Sequence, residues 1–319
     1  MPLEFGRGAF IKLGEEGTYG TIAASMPVDN RIISASFQKT QEKERKTHLS
    51  QSGAGGFQNG HFDAFLNVGG SIDLPLLYEG TGMLIKAAVG AATTTDLSPA
   101  TPQYQHDYEP SSNGELPSLS IGLQRGTGEY EVFLGCKVAT MGISGTAGEE
   151  VTASFEIIAQ NANPRSTATT STFGSGRQIF HYESGDLNYN SATYKMKSFE
   201  LSLDNKLERR NVLGDKKTLE PITNDVKDIT LSVTLEMQDN VLYTDYLDGT
   251  QSDVEFTFTN SDGDLCNVLI RNCYITDYDD AVNTFGAIER TMTFVGEGDA
   301  SNEPIRIRIT NNQSSAVAN

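Results

Sequence analysis

Tryptophan is absent from this chain of 319 residues, histidine occurs 4 times and cysteine 3 times. Each scarcity excludes something. Cys136, Cys266 and Cys273 are odd in number and form no CxxC pair, so neither a disulfide framework nor a zinc motif is indicated. Cys136 and Cys273 lie on apolar strands and read as small core residues, which suits a reducing compartment. Cations are outnumbered: Lys and Arg total 24 against 42 Asp and Glu, a formal charge of −18. Such a surface repels polyanions and lacks the clustered cations that grip DNA, RNA or an anionic membrane. No apolar run reaches the length of a bilayer span, and MPLEFGRGAFIKLGEEG has no signal-peptide core. The expectation is a soluble protein made in a cytoplasm, where the sequon at Asn312-Gln313-Ser314 carries no meaning.

Chemistry-bearing patterns are equally sparse. His48, His61, His106 and His181 fall in expected loops or at strand edges. His61-Phe62-Asp63 has the makings of half a metal site, or of a base with its orienting acid. No nucleophile or further ligand stands nearby, and a solvated loop histidine is the simpler reading. Gly142-Ile143-Ser144-Gly145 falls short of a nucleophile elbow. Gly6-Arg7-Gly8 lacks the third glycine of a dinucleotide fingerprint. Asp262-Gly263-Asp264 and Asp277-Tyr278-Asp279-Asp280 break the spacing of a calcium loop. The first reads as a hairpin turn. The second is open between a surface turn and a weak cation site. No catalytic residues, metal ligands or cofactor-binding residues are assigned.

What the sequence does hold is strand-like alternation, 31 glycines and many turns. Strands are expected at Ala9 to Leu13, Arg31 to Lys39, Phe62 to Leu76, around Leu119 to Leu123, Tyr130 to Val138 and Val151 to Ile158. Further ones are expected at Tyr194 to Leu203, Ile229 to Leu235, Val254 to Phe258, Leu265 to Ile275 and Ile288 to Val295. Short helices are expected at Leu77 to Val89 and Val241 to Leu247, the second with Gly249 as its C′ residue. Lys39 to His61, charged and then glycine-rich, reads as a mobile loop. LERRNVLGDKK reads as a charged loop. Ala91 to Pro117 reads as a long insertion without periodicity. Asn161 to Gly176 reads as a linker.

The order strand, loop, strand, helix, hairpin, strand occurs twice. SIDLPLLYEGTGMLIKAAVG from Ser71 is echoed by SVTLEMQDNVLYTDYLDG from Ser232. RGTGEYE falls on NSDGDLC, and Cys136-Lys137-Val138 falls on Cys273-Tyr274-Ile275. We read this as duplication of one β-domain with a single helix, a period too long for a solenoid. The expected division is 1–160, a linker at 161–176, a second domain at 177–310 and a polar tail at 311–319. Lys43, Arg45 and Lys46 in the first half, and Arg209, Arg210, Lys216 and Lys217 in the second, fall at equivalent places. They are candidates for pairing with acidic surfaces of another copy or of an adjacent ring.

Several stretches resemble the tail tube proteins of long-tailed bacteriophages in their tandem-duplicated form. AFIKLGEEGTYGT, SIDLPLLYEGTGMLIKAAVG, GCKVATMGISGTAGEEVTASFEI, SFELSLDNKLERRNVLG, SVTLEM and ERTMTFVGEG carry the likeness. The resemblance implies a mainly β fold of two tandem β-sandwich or half-barrel domains, each with one short α-helix. It implies a structural, non-enzymatic virion protein without cofactor, assembled in the bacterial host cytoplasm. Its rings, trimers with pseudo-sixfold symmetry, would stack into a tube through which DNA passes without specific binding. Tape-measure and tail terminator or baseplate proteins are the partners implied. The candidate lumen-facing residues are Ser118, Ser120, Gln124, Ser154 and Glu156, with Asp253, Glu255, Thr257, Thr291 and Thr293. Ala91 to Pro117 and Lys39 to His61 are candidates for ring-to-ring contact. The rival reading is an extracellular or virion-decorating β-sandwich binding module. An enzyme with a dispersed active site is a further one.

Overall fold

Ile229, Leu231, Val233 and Leu235 alternate with Thr230, Ser232 and Thr234, and the chain there is a strand with one buried face. The same logic runs through the whole computed structural model. It describes residues 8–45, 61–100, 102–126, 128–167, 169–171, 173, 179–180, 185–190, 192–236, 240–260, 262–279, 288–299 and 303–317. Lys46, His48, His181, Asp280 and most of the Lys39 to His61 loop fall outside these residues.

The first half holds β1 (Phe10–Glu15), β2 (Val28–Arg31), β3 (Ser34–Ala35), β4 (Gln38–Arg45), β5 (His61–Pro75), helix α1 (Gly82–Val89), β6 (Gly90–Asp96) and β7 (Tyr104–Pro110). It continues with β8 (Leu119–Arg125), β9 (Glu129–Thr146), β10 (Thr152–Ala159), β11 (Asn161–Ala162) and β12 (Ser166–Thr167). The second half holds β13 (Asp186–Tyr189), β14 (Ala192–Asp204), β15 (Leu207–Arg210), β16 (Leu219–Thr223), β17 (Asp228–Glu236), helix α2 (Val241–Asp248), β18 (Ser252–Thr259), β19 (Leu265–Asp279), β20 (Glu289–Val295) and β21 (Ile305–Asn311). The fold is mainly β, as expected, with two short helices among the described residues.

One long antiparallel sheet crosses both halves in the order β4, β5, β10, β9, β14, β17, β20, β19. Two outer sheets share its long strands. The first joins β2, β1, β8 and the start of β9, with β11 and β12 on the far side. The second joins the start of β14, then β13, β18, the start of β19, β21, β7 and β6. The core lies between the long sheet and these outer sheets. Across the long sheet, Leu74, Ala153, Ile143, Leu201, Leu231 and Phe294 stand opposite one another in one row, all buried. Burial of each large apolar side chain contributes about 1.5–3 kcal/mol.

Irregularities repeat between the halves. The β10–β9 ladder shifts between Glu156 and Ile157, and the β19–β20 ladder shifts between Ile275 and Asp277, opposite Phe294 and Thr293. The β8–β9 ladder shifts where Leu119 meets Cys136, and the β18–β19 ladder shifts where Ser252 meets Cys273.

Several expectations are corrected. Arg31 to Lys39 is not one strand, because the chain there leaves β1 for β5: Val28–Arg31 pairs with β1, while Ser34–Ala35 and Gln38–Arg45 pair with β5. Gln41–Arg45, read as loop, is the distal part of β4. Gly70 permits the crossover with a φ of 157°, and a Cβ there would stand 2.7 Å from the Ser36 carbonyl oxygen. The first helix begins at Gly82, five residues later than read, because Leu77 forms a β-bridge to Ile179 and Thr81 Oγ1 donates back to the Leu77 carbonyl.

Ala91 to Pro117 is not structureless. Its threonines and aromatics form the β6–β7 hairpin, and β7 adds to β21 from the far end of the chain. The charged loop after β14 is the β15–β16 hairpin. Within the expected linker, Asn161–Ala162 and Ser166–Thr167 pair with β9. The described part of the polar tail, 311–317, packs back on the protein. Asn311 is buried with its Nδ2 donating to the Tyr78 carbonyl at 2.7 Å, Tyr108 Oη donates to the Ala316 carbonyl at 2.7 Å, and Ala316 and Val317 pack against the core.

Candidate assembly interface

Strand alternation gives the long sheet a second face, and that face is polar. Directly opposite residues across β10, β9, β14, β17, β20 and β19 run Thr152, Ser144, Glu200, Ser232, Thr293 and Asp277. The next row runs Asp73, Ser154, Gly142, Ser202 and Thr230. Another runs Ser71, Glu156, Thr140, Asp204 and Asp228. Thr146, Ser198, Thr234 and Thr291 form a fourth. These are small hydroxyl residues, glycine and carboxylates. Several hydroxyls bond laterally: Ser144 Oγ to Thr152 Oγ1 at 3.2 Å, Thr234 Oγ1 to Thr291 Oγ1 at 3.1 Å, and Ser36 Oγ to Ser71 Oγ at 2.9 Å.

Cations near this face are engaged. Lys197 reaches Glu289 at 2.5 Å and Glu236 at 3.4 Å, and the Glu289 hydrogen bond holds its ammonium above the usual lysine range. Lys206 Nζ lies 2.7 Å from Asp204 Oδ2. Partial burial works against the Asp204 carboxylate, but the Lys206 bonds prevail and its pKa is lowered. Glu156 and Glu200 are exposed, and neither has an ion pair among the described residues.

Of the expected lumen residues, Ser154, Glu156, Thr291 and Thr293 lie together on this face. Ser118, Ser120 and Gln124 do not: they belong to β8 or its approach in the outer sheet and are buried at 8, 0 and 1% exposure. Ser120 Oγ donates to Glu16 Oε1 and accepts from the Ala23 amide, both at 2.9 Å, so the loop after β1 covers it. Asp253, Glu255 and Thr257 sit on β18 in the other outer sheet, where Asn267 Nδ2 donates to Glu255 and Thr257. Alternation alone does not distinguish an outer-sheet strand from a long-sheet strand. The same polar face also carries Glu200, Ser202, Thr230, Ser232 and Thr234, which show the same alternating signal on β14 and β17 and were not singled out.

The basic candidates divide too. Lys43 is exposed on β4, and Arg45 ends that strand. Arg209 is half-buried and engaged within the chain: its Nη1 donates to the Ala159 carbonyl at 3.2 Å, its Nη2 donates to the Val68 carbonyl, and burial lowers its pKa. Lys216 bonds Asp63 at 2.9 Å, which lowers the Asp63 pKa. Arg210 and Lys217 are exposed on the β15–β16 hairpin and its turn.

The halves meet where β9 pairs with β14, from Thr140 opposite Asp204 to Thr146 opposite Ser198. Amides extend the joint at both ends: Asn205 N donates to the Ala139 carbonyl at 2.9 Å and Ala147 N to the Lys197 carbonyl at 2.8 Å. Asn205 Nδ2 also donates to Ala88 O at the end of α1 at 2.8 Å. By contrast, β3 and β4, at the start of the long sheet, pair only with β5 among the described residues.

Burial sets the cysteine chemistry. All three thiols are buried, and loss of solvation pushes Cys266 and Cys273 up to about 12 and Cys136 well above its ordinary value. Among the described residues, no cluster of His, Cys, Asp and Glu suits a metal ion, and no helix is long and apolar enough to cross a membrane. No curated protein matches the chain. Residues 6–305 match a family model described as phage tail tube protein. The match covers nearly the whole sequence, and the chain belongs to the phage tail tube protein family.

Proposed function

We propose that copies of this chain close into rings and that the rings stack into the tube of a phage tail, with the polar face of the long sheet lining the bore. The observation that carries this reading is that face itself. It crosses both halves without interruption, in hydroxyl, glycine and carboxylate side chains. A bore of this chemistry repels phosphate through Glu156 and Glu200 and offers no basic cluster to hold it. DNA slides through rather than binding.

Ring closure answers a second need. A long unpaired strand edge invites uncontrolled association, and a closed ring removes the edge. The repeated pairing order and the coincident ladder shifts favour two copies of one sheet unit per chain, with β11 and β12 completing the first. The β6–β7 hairpin intervenes between α1 and β8, whereas α2 runs directly into β18. The halves are therefore equivalent in sheet but not in periphery, which favours rings of three chains with pseudo-sixfold symmetry. Because β7 is sequestered on β21, ring-to-ring contact falls to the outer β4–β5 hairpin, where Phe65 is 40% exposed.

Electron microscopy of the purified, concentrated protein tests this. Rings or tubes with the β9–β14 joint facing the bore support it. Discrete monomers at every concentration and ionic strength overturn it and favour a binding module.

A further inference from the structure

The internal joint between β9 and β14 specifies how one copy meets the next. Glu156 and Thr293 each precede a ladder shift. Opposite them on one side stand Ser71 and Ser232, and on the other Thr140 and Asp277. Thr140 and Asp277 therefore hold equivalent positions. Moving along β5 and β17 by the same distance from Ser71 and Ser232 leads to Asn67 and Asp228. Their partners are Thr40 on β4 and Asp204 on β14. Thr40 and Asp204 are thus equivalent as well. Within the chain, Asp204 lies directly opposite Thr140.

We propose that the β4 edge of one copy receives β19 of a second copy, antiparallel, with Thr40 opposite Asp277 of that copy. The occupant is a second copy because, among the described residues, only β19 stands where β9 stands at the internal joint. Charge agrees in sign: β4 carries Lys39, Lys43 and Arg45 against Glu42 and Glu44, and β19 ends in Asp277 and Asp279. Continuing the pairing would carry the polar rows on from Asp277 to Thr40 around a closed sheet. This register rests on the tube reading and deepens it.

Paired cysteines test it in the full chain. Residues directly opposite in an antiparallel ladder bring their Cα atoms to about 4.5–5.5 Å, within disulfide reach, whereas a partner two residues away lies near or beyond it at ~7–8 Å. The variant Thr40→Cys with Asp277→Cys is oxidised after assembly and compared with Gln38→Cys with Asp277→Cys. The native thiols are buried and stay out of the reaction. The result expected is a covalent closed ring from the first pair and at least tenfold less from the second. Preferential cross-linking of the second pair overturns the register. Rings or tubes visible by microscopy with neither pair linked overturn the β4–β19 joint while leaving the tube reading intact. Absence of rings and tubes even for the unmodified chain overturns the tube reading, and the register with it.

Discussion

Ile143 and Leu201 face each other across the β9–β14 ladder, and both are buried. One belongs to the first half of the chain and the other to the second, so the apolar core does not stop at the boundary between them. Leu201→Ala removes apolar contacts on both sides of the joint. A loss of about 2–5 kcal/mol is expected, read as a lower denaturant midpoint. If the halves were energetically separate, a second transition would appear with the first-half transition unmoved.

Gly82 holds the crossing of the tail over α1. A Cβ there would lie 2.1 Å from the Ala316 carbonyl oxygen and 2.2 Å from Tyr108 Oη. Gly82→Ala must therefore displace the tail or the tyrosine, costing about 1–3 kcal/mol. Limited proteolysis should then release the C-terminal residues faster than in the unmodified protein. Unchanged proteolysis and melting would show the tail to be loosely held.

His106 gives a pH dependence. It is 1% exposed, with Nδ1 2.9 Å from Thr94 Oγ1 and Nε2 3.1 Å from Asn311 Oδ1 and 3.0 Å from the Gln313 carbonyl. Burial lowers its pKa below 6.5, and the bonds to Asn311 and Gln313 and the charge of Asp107 only partly oppose this. Between the lowered folded value and 6.5, the unfolded chain binds more protons, so stability rises with pH. The contribution is complete above 6.5 and is lost as pH falls towards the folded value. Melting temperature should drop from pH 7.5 to 5.5, and His106→Gln should flatten that drop. An unchanged slope would assign it to other groups.

The bore is tested by charge reversal on the polar face. Glu156→Lys with Glu200→Lys adds cations where both parent carboxylates are exposed. Stability should change by no more than about 0.5 kcal/mol per site. Virions built from the variant should release DNA more slowly, and the retardation should weaken as salt rises. Normal release at low salt would remove the repulsive bore from the proposal. Glu255, on an outer sheet, serves as the control: Glu255→Lys should leave release unchanged.

The sequence by itself determined the long alternating strands and the presence of two short helices, because alternation and short-range periodicity are local properties. The strand over Ile229 to Leu235 and the helix stopped at Gly249 were legible this way. The glycine-permitted break near Ser36, the β6–β7 hairpin and the docked tail were not. Their partners lie far along the chain: β7 finds β21, and Tyr108 finds Ala316. Which polar faces could line a bore was likewise a tertiary decision. Ser120 and Ser154 carry the same local pattern, yet the loop holding Glu16 and Ala23 closes over one and leaves the other open. Alternation tells a strand that it has two faces, and only packing against distant segments decides which of them meets solvent.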